Sequence, residues 1–318
     1  MGNRAMGALE FKPVHGPRNI KPTSIEMNSL VMEARKAVKG TLDGDYKTDA
    51  ALRSIIEVGT SAGGARAKAV IAWNPATKEM QSGQVNAAEG FEHWLLKFDG
   101  MGIDKELGIS EHYGRIEYAY YLMATKAGIA MTESRLLEEN RRAHFMTKRF
   151  DRKGRSTKHH IQTLCAMSHI DYKKKSTNSY EQLLMTLGEL TLSHDAYVEV
   201  FRRMIFNIMS RNCDDHSKNF SFLLKEGSDW ELAPAYDVTF AHNPKGEWTH
   251  QHLMSVNGKY KDFIVDDILE VADRFGVGEA KQLIEEIRET ITLWPTFAKE
   301  AGLNKNEMNR IKKQHILL

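Results

Sequence analysis

The run DAYVEVFRRMIFNIMSRN at positions 195–212 constrains this chain more than any other. Tyr197, Phe201, Met204, Ile205 and Ile208 recur at spacings of three and four, so the segment reads as a helix that buries one face against a partner. It ends in NCDDHSKN, eight residues holding two aspartates, a histidine, a lysine and two asparagines, and then turns apolar in FSFLL. So polar a stretch cannot pack by itself; it reads as a loop between a packed helix and a short strand. Across the turn KEGSD a second strand, WELAP, leads on to Asp237.

Strand character appears earlier in AKAVIAW (67–73), followed by the turn-rich NPATKE, and in FEHWLLKFDG (91–100), so the first half carries a sheet. RIEYAYYLMATKAGI then predicts a helix over 115–127: Ile116, Tyr120, Met123 and Ala127 share a face, and Gly128 stands where a helix-ending glycine would. HFMTKRFDRKGRSTKHH (144–160) starts as a strand and becomes a basic loop with glycine and serine, a shift that marks a boundary. The reading is an N-lobe at 1–147, a hinge at 148–152 and a C-lobe at 153–318. Helical patterns dominate beyond the hinge, in YEQLLMTLGEL and in a tail helix broken at Pro295. The predicted class is α+β, with a β-rich first lobe and a mainly α-helical second.

A chain of 318 residues with 42% hydrophobic content can fill two such cores. Its 44 basic and 42 acidic residues nearly cancel to +2, so no global field selects nucleic acid and any polyanion specificity is local. Cys165 and Cys213 form no C-x-x-C or zinc pattern, which argues for a reducing, cytoplasmic setting. The start, MGNRAMGALEFKP, has no apolar signal core, and no uncharged apolar run approaches the roughly 20 residues that span a bilayer.

Within the polar loop, Asp214 and Asn219 stand five apart, the D-x-x-x-x-N spacing with which protein kinases place a catalytic carboxylate and a metal-binding amide on one loop. Phosphoryl transfer needs a carboxylate to orient the attacking hydroxyl, and an amide with a second carboxylate to hold Mg²⁺ against the phosphates of ATP. Asp214, Asn219 and Asp237 could fill those roles. The spacing alone also fits a polar turn with Asp214 as a cap and Asn219 in a left-handed conformation. The first lobe adds VGTSAGGARAKAVIAW (58–73), a glycine-rich loop running into a strand, in which Gly63 and Gly64 would let backbone N–H groups approach phosphates. It is neither a P-loop nor a strict G-x-G-x-x-G, and by itself reads equally as a flexible hairpin. Lys97 near a strand end and Glu117 opening the next helix follow in the order of a kinase strand lysine and helix glutamate. Singly, they read as a solvated lysine and a favourable first-turn acid. Together and in this order they make the layout of a kinase.

VGTSAGGARAKA, HFMTKRFDR, NCDDHSKNFSFLL and WELAPAYDVT resemble, in sequence and order, the HipA-family toxin kinases of bacterial toxin–antitoxin systems. The resemblance implies a two-lobed protein-kinase-like fold and a serine/threonine kinase that acts on an aminoacyl-tRNA synthetase and is restrained by a small DNA-binding antitoxin, with DNA met only through that partner. It implies Asp214 as catalytic carboxylate, Asn219 and Asp237 on Mg²⁺, Lys97 on the ATP phosphates, the backbone of Lys148 to Phe150 at the adenine and Asp151 near the ribose. His216 takes the place of a family histidine that shapes the loop. Ser61 matches a serine that such kinases autophosphorylate; a phosphate there adds about −1.5 to −2 charge beside the ATP phosphates and opposes nucleotide binding. Thr60 is the alternative acceptor.

Two departures stand out. Ala67 replaces a proline of the family loop, and GNRAMGALEFKP resembles the end of an N-terminal subdomain most of which is missing, so that either the chain is shortened or a separate small protein supplies it. Two other readings compete. His250 and His252 with DDH could mark a metal-dependent phosphoesterase, and the chain could be a kinase-shaped binding module in an antitoxin–DNA complex. The strip RFDRKGRSTKHH could contact phosphates or form a solvated loop.

Overall fold

The structure, a computed structural model, describes residues 5–10, 12, 30, 68–83, 86–100, 103–104, 108–109, 112–139 and 142–318. The chain divides into two compact units, Met1–Gly114 with Thr132–Ile161, and Arg115–Met131 with Gln162–Leu318. The second boundary falls at 161/162, later than the compositional break at 148–152, and most of the helix expected in the first lobe belongs to the second unit.

The first unit is built on strands β1 (Lys68–Trp73), β2 (Met80–Ser82), β3 (Glu92–Lys97), β4 (Ile103–Asp104), β5 (Gly108–Ile109), β6 (Ser134–Glu139), β7 (Arg142–Lys148), β8 (Arg152–Lys153) and β9 (Thr157–Lys158). Five of them form one antiparallel sheet in the order β2-β1-β3-β7-β6. Alternation along each strand sends Ala69, Ile71 and Trp73, with Trp94, Leu96 and Met146, into one apolar cluster. Trp73 and Trp94 meet edge to face at 5.6 Å. Register is fixed at the site end, where Lys97 pairs with Lys68 on one side and Phe145 on the other.

Segment 148–152 is part of this unit. Lys148 and Arg149 donate their N–H groups to the carbonyls of Glu133 and His93. Asp151 is buried and takes both side-chain donors of a two-pronged contact from Arg149 at 2.8 and 2.7 Å, one from Arg152 at 2.8 Å and the Gly7 amide at 2.7 Å. Burial favours the neutral acid, but these partners outweigh it and hold the Asp151 pKa at about 2. Two guanidinium groups on one carboxylate also repel: burial and Arg149 lower the Arg152 pKa to about 10, which offsets part of the gain. Two of the strip's three arginines, Arg149 and Arg152, are turned inward onto Asp151, while Lys153 and Arg155 stay exposed.

The second unit opens with most of α1 (Tyr113–Lys126); β10 (His160–Thr163) crosses into it, followed by α2 (Leu164–Met167), β11 (Asn178–Ser179), α3 (Tyr180–Glu189) and α4 (His194–Ser210). Then come β12 (Ser221–Leu224), β13 (Trp230–Leu232), β14 (Met254–Ser255), α5 (Val265–Phe275), α6 (Ala280–Thr292), α7 (Trp294–Glu300) and α8 (Lys305–Lys312). A capping box of Ser179 and Gln182 starts α3, and Pro295 sits in the first turn of α7, so the proline breaks the tail by starting a new helix. α4 packs on α6. Phe201, Met204, Ile205 and Ile208 of its stripe are fully buried, each contributing roughly 1.5–3 kcal/mol of transfer free energy. α4 stops at Arg211, whose φ of 61° is left-handed and turns the chain out of the helix into the polar loop.

Candidate active site

The polar loop is fastened at both ends. Asn212 donates its backbone N–H to Asn207 and its side-chain amide to the Asn207 side chain at 2.9 Å, while Cys213 N–H reaches the Ala241 carbonyl at 3.1 Å. At the other end Ser221 begins β12, paired antiparallel with β13. Between these anchors the two aspartates face opposite environments. Asp214 has 51% of its side chain exposed, with His216 Nε2 3.9 Å away. Asp215 is 1% exposed.

Asp215 is the part of the loop that sequence left unexplained. One carboxylate oxygen accepts the Leu253 N–H at 2.8 Å; the other accepts the Tyr180 hydroxyl at 2.9 Å and lies 2.9 Å from His252 Nδ1. Asn207 in turn donates to the Tyr180 oxygen at 3.0 Å. The loop is thus tied to α3, α4 and the 252–253 segment through one buried carboxylate. At His252 burial opposes a charge, but Cys213 and Asp215 beside the ring more than offset it and raise its pKa to about 10, so the ring stays protonated.

Asn219 closes the loop on itself: its amide donates to the Asp214 carbonyl at 2.8 Å, and its backbone N–H to His216 at 2.8 Å. This bond fixes the amide plane, with Oδ1 at its other end. Asn219 and Asp237 line one depression of about 320 Å³, open to solvent, together with Arg203, Asn207, Asp215 and Tyr236. Asp237 holds a left-handed φ of 55°, rare for a residue with a Cβ. It is Asp237, and not Asn219, that adopts this conformation, so the polar-turn reading with a left-handed Asn219 does not hold.

An amide oxygen and one carboxylate facing a common space are hard donors that suit Mg²⁺ shared with substrate phosphates. Such an ion, held by Asn219 and Asp237, would neutralise charge on the phosphates. Among the described residues no group of three or more His, Cys, Asp or Glu converges on one point, as a phosphoesterase-type metal centre requires. His250 bonds the Gly246 carbonyl at 3.0 Å and His252 holds Asp215, which accounts for the HQH pair without a metal.

In the first unit, Lys97 is 7% exposed, with its amine 5.7 Å from the centre of the Phe145 ring, which overturns the solvated strand-end reading. In the second unit, Glu117 is 2% exposed and lies beyond the first turn of α1, so it is no surface capping acid. Lys148 pairs with Glu92 at 2.5 Å, and its N–H and that of Arg149 donate to the carbonyls of Glu133 and His93. Asp151, its oxygens met by two arginines and the Gly7 amide, is a tie within its unit. Phe150 is half-buried. Gly63, Gly64, Thr60 and Ser61 lie outside the described residues.

The sequence reading missed Tyr180, Asn207 and Tyr236. Tyr236 alone had a local signal, its place directly before Asp237.

Residues 60–295 match the model of the HipA-like C-terminal domain. The chain belongs to that family. The HipA-like chain is 29% identical over 203 residues to a Haemophilus influenzae protein named "Putative kinase", covering 54% of this chain and 59% of that one, so it spans less than two thirds of its relative. Its fold matches the HipA toxin–antitoxin complex of Shewanella oneidensis MR-1, solved with HipB and operator DNA, at a TM-score of 0.70 and 18% identity over 97% of this chain and 74% of that one. The α+β, kinase-like fold expected from sequence is the fold observed. Among the described residues of the HipA-like chain no helix is long and apolar enough to cross a membrane.

Proposed function

We propose that the chain is an ATP- and Mg²⁺-dependent serine/threonine protein kinase, the toxin of a toxin–antitoxin system. The observation that carries this reading is the second unit's loop, which presents an exposed Asp214 carboxylate on a rigid frame and turns Asn219 into the depression that Asp237 lines. Asp214 accepts the proton of the attacking hydroxyl as the γ-phosphorus–oxygen bond to ADP breaks and the new phosphoester forms. Asn219 and Asp237 would hold the metal, and the resemblance assigns Lys97, Glu117, Gly63 and Gly64 to the ATP phosphates. His216 shapes the loop beside Asp214.

Family membership and the likeness to HipA solved with HipB support a small DNA-binding antitoxin as partner. The protein substrate in this reading is a translation component such as an aminoacyl-tRNA synthetase, met in the cytoplasm. Phosphorylation of Ser61, or of Thr60 beside it, is the off-switch in the same reading. The test is ATP-dependent phosphoproteomics of a host lysate with wild type against Asp214→Ala. A serine or threonine site phosphorylated by wild type alone is expected; identical phosphosite maps refute the reading.

A further inference from the structure

Asn219 and Asp237 come from segments separated by a whole hairpin, yet two oxygen donors can share one small cation only if their separation is set to within tenths of an ångström. One side chain spans the gap. The Tyr236 hydroxyl donates to the Lys218 carbonyl at 2.7 Å and also bonds Ser221 Oγ. Lys218 directly precedes Asn219, and Tyr236 directly precedes Asp237. The bridge therefore joins the backbone next to one donor to the backbone next to the other, by a rigid aromatic ring and one hydrogen bond.

We infer that Tyr236 is a positioning residue that fixes the spacing of Asn219 and Asp237 and thereby sets the affinity of the site for its divalent cation. Three further features support the inference. The bond from the Ala235 N–H to the Ala130 carbonyl, at 2.8 Å, pins the tyrosine's own backbone on the side away from Asp237. The left-handed Asp237 must be held by its surroundings, and Tyr236 is the residue immediately before it. Tyr236 itself lines the depression shared by Asn219 and Asp237. A tyrosine that merely filled the core would need its ring and any partner for its oxygen; here the partner is the carbonyl next to a metal donor.

The inference rests on the phosphotransfer reading, and its test separates the two. Tyr236→Phe removes one oxygen and keeps the ring. Mn²⁺ binding by electron paramagnetic resonance, with a non-hydrolysable ATP analogue, reads metal affinity without turnover; the Mg²⁺ concentration giving half-maximal phosphorylation reads it in action. Tyr236→Phe is expected to weaken both by roughly 10-fold or more, as loss of an outer-shell partner does, with the rate at saturating Mg²⁺ nearly kept. Asp237→Ala is expected to lose both. Ser221→Ala, which takes away one of the hydroxyl's two partners, shifts both in the same direction by a smaller factor, and serves where Tyr236→Phe does not fold. Unchanged metal affinity in Tyr236→Phe and Ser221→Ala alongside its loss in Asp237→Ala overturns the inference alone. Unchanged affinity and turnover in Asp237→Ala overturns the phosphotransfer reading, and the inference with it.

Discussion

His252 links the loop that carries Asp214 to pH. In the folded chain its pKa is raised to about 10, whereas an unfolded histidine titrates near 6.5. Between those values the folded state holds one proton that the unfolded state has lost. Stability tied to His252 is therefore complete below about pH 6.5 and is lost as pH rises toward 10, with a slope of at most about 1.4 kcal/mol per pH unit for one proton. Integrated over the whole window the loss reaches about 4–5 kcal/mol, a large part of the 5–15 kcal/mol that holds a typical domain together. The assay is urea unfolding at fixed temperature from pH 6 to 9 for wild type and His252→Gln, which keeps a donor for Asp215 but cannot titrate. Lysines, tyrosines and carboxylates common to both proteins cancel in the difference. That difference is expected to be level below pH 6.5 and then to close at about 1.4 kcal/mol per unit. Two parallel curves would refute the protonated His252–Asp215 pair as the anchor of the loop.

Three further perturbations probe other parts of the frame. Asp214→Ala, at an exposed position, should change unfolding free energy by no more than about 0.5 kcal/mol while phosphorylation of a lysate substrate falls by roughly 10²–10⁴-fold. Asp151→Asn leaves Arg149 and Arg152 without their buried counter-charge and should cost about 3–5 kcal/mol in urea unfolding; wild type, but not the variant, should also show an acid loss between about pH 4 and pH 2, since the depressed carboxylate must be protonated there. Gly114→Ala would place a Cβ 1.9 Å from the Ala143 carbonyl oxygen, so the start of α1 must move off β7, at an expected 1–3 kcal/mol or roughly that order, read by thermal unfolding.

How much of this was legible beforehand depended on distance along the chain. The α4 stripe, the β12–β13 hairpin and the Asp214–Asn219 spacing are local patterns, and each appears where its periodicity placed it. The frame behind the loop is not local. Tyr180 and His252 reach Asp215 from 35 and 37 residues away, a separation no window of sequence sees. Lys97 misled for a different reason: a lysine at a strand end is ordinarily solvated, and only the flanking strands β1 and β7 bury this one. The strip at 149–158 looked like an open basic face because its one acid was outnumbered, yet Asp151 draws two of the arginines inward.

Adjacent aspartates in one loop raise the question of which would serve as base in the proposed phosphotransfer, and their surroundings differ. With the loop pinned at Asn212 and Asn219, one of the pair is half exposed and the other is buried in the interior. Asp215 is the buried one. With the Leu253 amide, the Tyr180 hydroxyl and the His252 ring on its two oxygens, and no exposed surface, it cannot meet a substrate hydroxyl without breaking bonds that hold the loop. A carboxylate whose oxygens are so engaged suits an anchor better than a group that must meet a substrate hydroxyl in every turnover. Asp214 has the complementary character: half its side chain faces solvent, its backbone carbonyl is held by the amide of Asn219, and its position is borrowed from the rigidity of its neighbour. In the proposed phosphotransfer the doubled aspartate would divide placement and chemistry between two residues of the same type, the buried one as anchor and the exposed one as base.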